Sequence, residues 1–212
     1  GYQKLVEECH SHHIKMIQDF VFNHISSEHP WMFDPPSKDF FNHFDNYVQT
    51  QYDLTTAFSP YSSKYDTEIL TKGWFVSSMP DLNQHNPYVA RYLIQTSIFW
   101  IEYADIDGIR QDTYPYAFSD FMANWAKELT NQYPDFNIVG ETFRTNPAAV
   151  SYWQMGSKNN PHNTYLKSVM DFHLMEISNS VFNNPNQMYN LHDHMSYDFL
   201  YGNISNLMRF IE

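Results

Sequence analysis

Two carboxylic acids and an arginine carry the chemistry of this chain. Arg110 and Asp112 lie in Gly108-Ile-Arg-Gln-Asp112, and Glu141 ends Ile138-Val-Gly-Glu141. A third cluster, Asp19-Phe-Val-Phe-Asn23-His24, stands upstream. Each begins or follows an apolar run and stops in polar residues, as a strand does where it enters a site. Glu141 follows Asp112 by 29 residues, about one β/α repeat. Adjacent strands lie close to 5 Å apart, so the two carboxyls could stand near the ~5–5.5 Å that double displacement at an acetal carbon requires. That chemistry needs one ionised carboxylate to attack and one protonated carboxyl to supply the proton. Arg110, on the same strand face as Asp112, would hold Asp112 ionised. Glu141, beside apolar Val139, could keep a raised pKa. On spacing alone, an ordinary ion pair at a loop start remains open.

The elements between these clusters must bring them together. Tyr2–His10 reads as a helix burying Leu5 and Val6, and Ile14–Phe22 as a strand covered on both faces. Asn86-Pro87 signals a helix start, followed by Val89, Leu93, Thr96, Trp100 and Tyr103 at helical spacing. Ile106–Asp112 is the next strand. Ser119 caps the helix of Phe121, Met122, Trp125 and Leu129. Phe136–Glu141 is a strand, Asn146-Pro147 opens a helix, Ser168–Phe172 is a further strand, and Asn206–Ile211 a last one. Strand–helix alternation implies a parallel sheet.

Positions 30–83 differ in character. They hold five of the 11 prolines, many aromatics and no long stretch of helical period. This is expected to be an inserted subdomain over the strand ends, since a loop of such length is usually functional. The rest falls short of the roughly 250 residues of a closed eight-fold barrel. The expected division is 1–29 and 84–212 as barrel segments and 30–83 as insertion. The expected fold is a partial (β/α)8 TIM barrel completed by the remainder of the same polypeptide, and the family resemblance given below implies that it holds about strands 3 to 7.

Composition narrows the partners. A net charge of −12 disfavours nucleic acid and anionic lipid. No apolar run approaches the roughly 20 residues that span a bilayer. The single cysteine, Cys9, excludes an intrachain disulfide. Aromatics make up 18% of the chain, many beside Asn, Gln, Asp or His. Rings that cover sugar CH faces next to groups that bond hydroxyls favour carbohydrate. His10-Ser-His-His13 and His192-Asp-His194 lack the helical two-His spacing with an intervening Glu of a zinc hydrolase.

Taken together, these motifs resemble those of the α-amylase family of glycoside hydrolases, a (β/α)8 barrel with a subdomain inserted after its third strand. Asp19–His24, Gly108–Asp112 and Gly140-Glu141 match three family signatures in order. Met79-Pro-Asp-Leu-Asn83 resembles the extra signature near the end of the insertion. The wording around Met79 is most similar to the neopullulanase and cyclomaltodextrinase branch. The resemblance implies Asp112 as nucleophile, Glu141 as general acid/base, Arg110 as partner of Asp112, Asp19 as an anchor near Arg110, and His24 as a donor to the sugar. Asn23 in many relatives helps hold a structural calcium, so that ion is possible here, although no cofactor is required.

Two departures stand out. The family's Lys-His after the nucleophile is replaced by Pro115 and Tyr116, so Tyr116 is a substrate-side candidate. The family's fourth signature, Asn-His-Asp, is absent, and this segment alone is expected to be inactive because it lacks a third carboxylate. Trp74, or a neighbouring ring such as Phe75 or Tyr61, is expected to line the cleft.

The expected activity is hydrolysis of α-1,4 or α-1,6 glucosidic bonds in starch-type glucans. A glucanotransferase using the same residues and a non-catalytic glycan-binding relative are the alternatives. Secretion or a periplasmic location, with the leader upstream, and a homodimer are compatible with the sequence.

Overall fold

The computed structural model describes residues 1–211. Helix α1 (Tyr2–Ser11) leads into strand β1 (Ile17–Val21). Helices α2 (Pro30–Phe33) and α3 (Lys64–Lys72) fall in the insertion, and α4 (Pro87–Ala104) returns to regular alternation with β2 (Gly108–Asp112). Then come α5 (Ser119–Gln132), β3 (Asn137–Gly140), α6 (Pro147–Ser151), β4 (Ser168–Val169), α7 (Phe172–Asn183) and α8 (Tyr189–Met195). The four strands form one parallel sheet in the order β1-β2-β3-β4. A further parallel bridge, Met170 to Met208, adds the beginning of a fifth position. This is an arc of a β/α barrel.

Caps follow the sequence signals where a side chain can reach the first amides. Asn86 Oδ1 accepts from the N–H groups of Tyr88 and Val89, and Asn146 Oδ1 from Ala148. In both helices Pro occupies the first turn, where an N–H has no helical partner. The core lies between the sheet and its outer helices. Phe22 packs edge-to-face on Trp125 at 5.0 Å, and Trp125, with no exposed surface, donates its indole N–H to Ser97 Oγ.

Several expectations are corrected. Val6 is buried but Leu5 is 53% exposed. Strand β1 begins at Ile17, not Ile14, and only one of its faces is covered: Phe20 and Phe22 are buried while Ile17, Asp19 and Val21 are open. The open face is the barrel interior, which no other described strand faces. Ser119 does not cap α5, because Phe118 holds the cap position and Ser119 is already helical. The expected strand at Ser168–Phe172 pairs only over Ser168–Val169, since Asp171 caps α7 through Leu174 N–H. At Asn206–Ile211 only the Met208 bridge forms.

The insertion also contains more regular structure than its proline content suggests. Ser63 Oγ accepts from Asp66 N–H and starts the nine-residue helix α3. The antiparallel bridge His24–Asp81 ties the end of the insertion to the chain leaving β1, and Phe41–Leu82 joins two parts of the insertion to each other.

Candidate active site

Strand register assembles the site. Asp19 pairs with Arg110 across β1 and β2, and Arg110 with Val139 across β2 and β3. Because side chains alternate, Asp19, Arg110 and Val139 form one row on the interior face. Asp112 and Glu141, each two residues further, form the next row at the strand ends. Glu141 is fixed there by its own N–H, which donates to Gln111 O at 2.9 Å.

Arg110 binds all three carboxylates. Its Nη1 donates to Asp19 Oδ1 at 2.8 Å and Oδ2 at 3.0 Å, and to Asp112 Oδ1 at 2.9 Å. Its Nη2 stands 2.8 Å from Glu141 Oε1. Asp19 and Asp112 therefore share one nitrogen of the guanidinium and Glu141 takes the other. Sequence reasoning paired Arg110 with Asp112 and Asp19 but did not anticipate its contact with Glu141.

The Glu141 side chain is only 15% exposed. Burial pushes its pKa up, and the nearby Asp112 charge adds to the rise. The Thr113 N–H at Oε2 and the Arg110 charge oppose it, yet the net direction is upward. Beneath it, Val139 packs in an apolar cluster with Met170 and Phe172. The carboxyl thus sits where its neutral form is favoured.

His24 lies near Asp112 and beside the Phe75 ring. Burial lowers its pKa, with the Asp112 charge opposing. Asn23 Nδ2 lies 3.3 Å from His24 Nδ1. With Asn23 as donor, the neutral ring carries its proton on Nε2, free to donate.

Of the aromatic candidates, the structure gathers Phe75 and Tyr116 but not Trp74 or Tyr61. The Phe75 ring is 5.4 Å from His24 and 4.7 Å from Tyr116. Trp74 is 6% exposed, donates its indole N–H to Asn42 O at 2.7 Å and packs on Tyr47. It is core of the insertion, because successive residues point to opposite sides and Phe75 takes the open one. Tyr61 is 94% exposed and touches no ring of the cluster.

Three residues were missed. Tyr52, at φ 59°, packs on Phe75 at 5.6 Å. Its carbonyl accepts from Tyr116 Oη at 3.2 Å and from Arg144 Nη2 at 2.9 Å. Arg144 thus ties the loop after Glu141 to the insertion. Thr113, the third, follows Asp112 and holds Glu141 through its amide. Only the adjacency of Thr113 and Arg144 to the two carboxylates could have pointed to them; Tyr52 had no local signal.

Asn23 is 1% exposed, and its Oδ1 has no hydrogen-bond partner. One amide oxygen is far from the six to eight oxygens calcium takes. Among the described residues no group of three or more His, Cys, Asp or Glu could hold a metal ion.

Two carboxyls and an arginine thus converge at the strand ends of a barrel arc, where barrel enzymes assemble their sites. The comparisons agree. The model of the α-amylase catalytic domain matches residues 1–212, and the chain belongs to that family. It is 30% identical over 159 residues to alpha-amylase 3 of Dictyoglomus thermophilum, covering 72% of this chain and 31% of that one. It is 31% identical over 138 residues to a cyclomaltodextrinase of Geobacillus thermopakistaniensis, covering 65% and 22%. Among solved structures, an Anoxybacillus α-amylase superposes with a TM-score of 0.71 at 28% identity, over 94% of this chain and 40% of that chain. The α-amylase of Geobacillus thermoleovorans, solved with acarbose, gives 0.69 at 29% identity, over 94% and 40%. The chain therefore spans well under half the length of these relatives.

Proposed function

We propose that this chain is the nucleophile- and acid-bearing part of a retaining α-glucan hydrolase. The observation that carries the reading is the Arg110 fork, which holds Asp112 on one nitrogen and Glu141 on the other at adjacent strand ends. The relatives bear names of enzymes acting on α-glucans, and the substrate assignment draws on them.

In the first step an Asp112 oxygen attacks the anomeric carbon while the glycosidic C–O bond breaks. Glu141 gives its proton to the departing oxygen, and a glycosyl ester on Asp112 results. In the second step Glu141, now ionised, takes a proton from water as that water attacks the anomeric carbon. The ester bond breaks, Asp112 is released as carboxylate and Glu141 is again protonated. No cofactor enters either step. His24 Nε2–H donates to the hydroxyls of the sugar being cleaved, and the Phe75–Tyr116–Tyr52 rings cover its apolar face. The remainder of the polypeptide covers the open interior face of β1 and completes the barrel.

The test is kinetic, in the full-length enzyme. Asp112→Asn should lower turnover of starch-type glucan by several orders of magnitude, since no other nucleophile is placed to form the ester. Glu141→Gln should be as damaging on glucan but much less so on α-glucosyl fluoride, whose departure needs little protonation. Equal losses on both substrates for Glu141→Gln would remove it as the acid. Binding of maltosaccharide by wild type without any turnover would favour a carbohydrate-binding relative.

A further inference from the structure

One carbonyl of the insertion takes donors from the segments that follow both carboxylates. Tyr52 O accepts from Tyr116 Oη at 3.2 Å, on the turn after Asp112, and from Arg144 Nη2 at 2.9 Å, on the loop after Glu141. The same Arg144 nitrogen stands 3.9 Å from Asp53 Oδ1, which is itself fixed by the N–H and hydroxyl of Thr55 at 3.0 and 2.8 Å.

The local structure is shaped around this clasp. Tyr52 stands at φ 59°, uncommon for a bulky side chain, and such strain gathers at functional sites. Its phenol donates to Phe75 O and accepts from Gln49 Nε2 at 2.9 Å, so Tyr52 is held at both its carbonyl and its hydroxyl. Pro115 restricts the backbone of the turn Tyr114–Tyr116 from which the Tyr116 hydroxyl reaches Tyr52. The Arg144 side chain is 37% exposed, and ion pairs that open to solvent add little to stability. What the clasp sets is the shape of the cleft. Its contacts run unbroken from the end of β1 to the loop beyond β3: His24 meets Phe75, Phe75 meets Tyr116 and Tyr52, and Tyr52 meets Arg144.

We infer that Arg144 is a specificity-determining residue: through Tyr52 and Tyr116 it walls off the leaving-group side of the cleft, which then takes a short departing sugar and excludes a long one. The inference rests on the roles proposed above for Asp112 and Glu141. The acid gives its proton to the departing oxygen, so the leaving sugar extends from Glu141 toward the loop that carries Arg144. There it meets the clasp, whose members come from the insertion, the turn after Asp112 and the loop after Glu141. A bond inside a polymer has many units on both sides, and its departing part would need this wall open. A bond close to the reducing end does not. Short maltosaccharides, cut near that end, are the substrates this arrangement favours over amylose.

The test compares kcat/KM of the full-length enzyme on amylose, on maltotriose and on α-glucosyl fluoride, whose leaving atom carries no sugar. Discrimination between substrates is the ratio of these constants. Arg144→Ala should raise the amylose-to-maltotriose ratio about fivefold or more. Arg144→Lys, whose ammonium can still donate to Tyr52 O, should bring the ratio most of the way back. Tyr116→Phe removes only the second donor and should move the ratio in the same direction, which keeps the test open if Arg144→Ala does not fold. A ratio that stays at the wild-type value in Arg144→Ala and Tyr116→Phe overturns the inference alone. So does an equal loss on all three substrates in Arg144→Ala, which would mean that Arg144 acts on the carboxylates instead of the leaving side. Wild-type enzyme that turns over neither maltotriose nor the fluoride would sink the α-glucan reading, and this inference with it.

Discussion

The backbone N–H of Thr113 donates to Glu141 Oε2 at 2.9 Å from a residue held at φ 48°, ψ 35°. A β-branched residue in the left-handed region is an outlier that costs about 1–3 kcal/mol, and such strain gathers at functional sites. Here it turns the chain directly after Asp112, so that one residue's amide reaches the neighbouring strand's carboxyl. The nucleophile candidate and the acid candidate are thereby linked through backbone as well as through Arg110.

The Thr113 hydroxyl itself has no partner although it is buried. Thr113→Val keeps the shape and the amide and removes that unpaired group, a change that can be neutral or stabilising by about 1 kcal/mol. A melting temperature higher by about 2–4 °C is expected in this size range, with kcat within twofold of wild type. A tenfold loss of kcat would show that the hydroxyl contacts substrate.

Arg110→Lys should be far from conservative. A lysine ammonium cannot hold Asp112 on one nitrogen and Glu141 on another, and a fall in kcat of at least a hundredfold is expected. The pH profile adds a sign. If Glu141 is the acid, as proposed, activity is lost as pH rises through its pKa, which burial has already raised. Arg110 is one of the groups holding that rise in check. Its weakening should move the alkaline limb of kcat/KM upward. A downward move would contradict the acid role of Glu141.

Much of this site was legible because strands translate sequence into geometry with period two. Arg110 and Asp112 had to share a face, and the β/α repeat brought Glu141 alongside. The contacts that cross the insertion were not legible. Nothing local to Tyr52 says that its carbonyl will receive both Tyr116 and Arg144, because those bonds depend on how positions 30–83 fold back. The burial of β1 was misread for a related reason. An apolar run suits a strand covered on both faces, yet among the described residues no strand stands opposite the interior face of β1. Helix α3 was hidden by the prolines around it, although Ser63 and Asp66 stand at capping positions.

The two adjacent aromatics Trp74 and Phe75 should separate cleanly. Trp74→Ala removes a buried indole and its bond to Asn42, and a loss of about 3–5 kcal/mol of stability is expected, read as a shift in urea midpoint. Phe75→Ala takes one ring from the cluster beside His24 and should raise KM for maltosaccharides several-fold with little change in that midpoint. If Trp74→Ala raised KM at unchanged stability, its place in the core of the insertion would be wrong.

Asp81 provides the last test, because its carboxyl is 1% exposed and its hydrogen-bond donor is a neutral amide, Asn42 Nδ2 at 2.7 Å. Burial pushes its pKa well above the ordinary value, with the Asn42 bond opposing. A carboxyl whose folded pKa is raised adds stability below its unfolded pKa, near 3.9. That contribution is lost as pH rises through the folded value. Asp81→Asn does not titrate, and its amide oxygen can still accept from Asn42. The variant should therefore match wild type near pH 4 and exceed it near pH 8, by a few degrees in Tm. Calcium held by the Asp81 and Asn23 oxygens would reverse the sign: the variant would be less stable at pH 8, and a chelator would reproduce that loss in wild type. Melting curves at the two pH values, with and without chelator, decide between a buried neutral acid and a metal ligand.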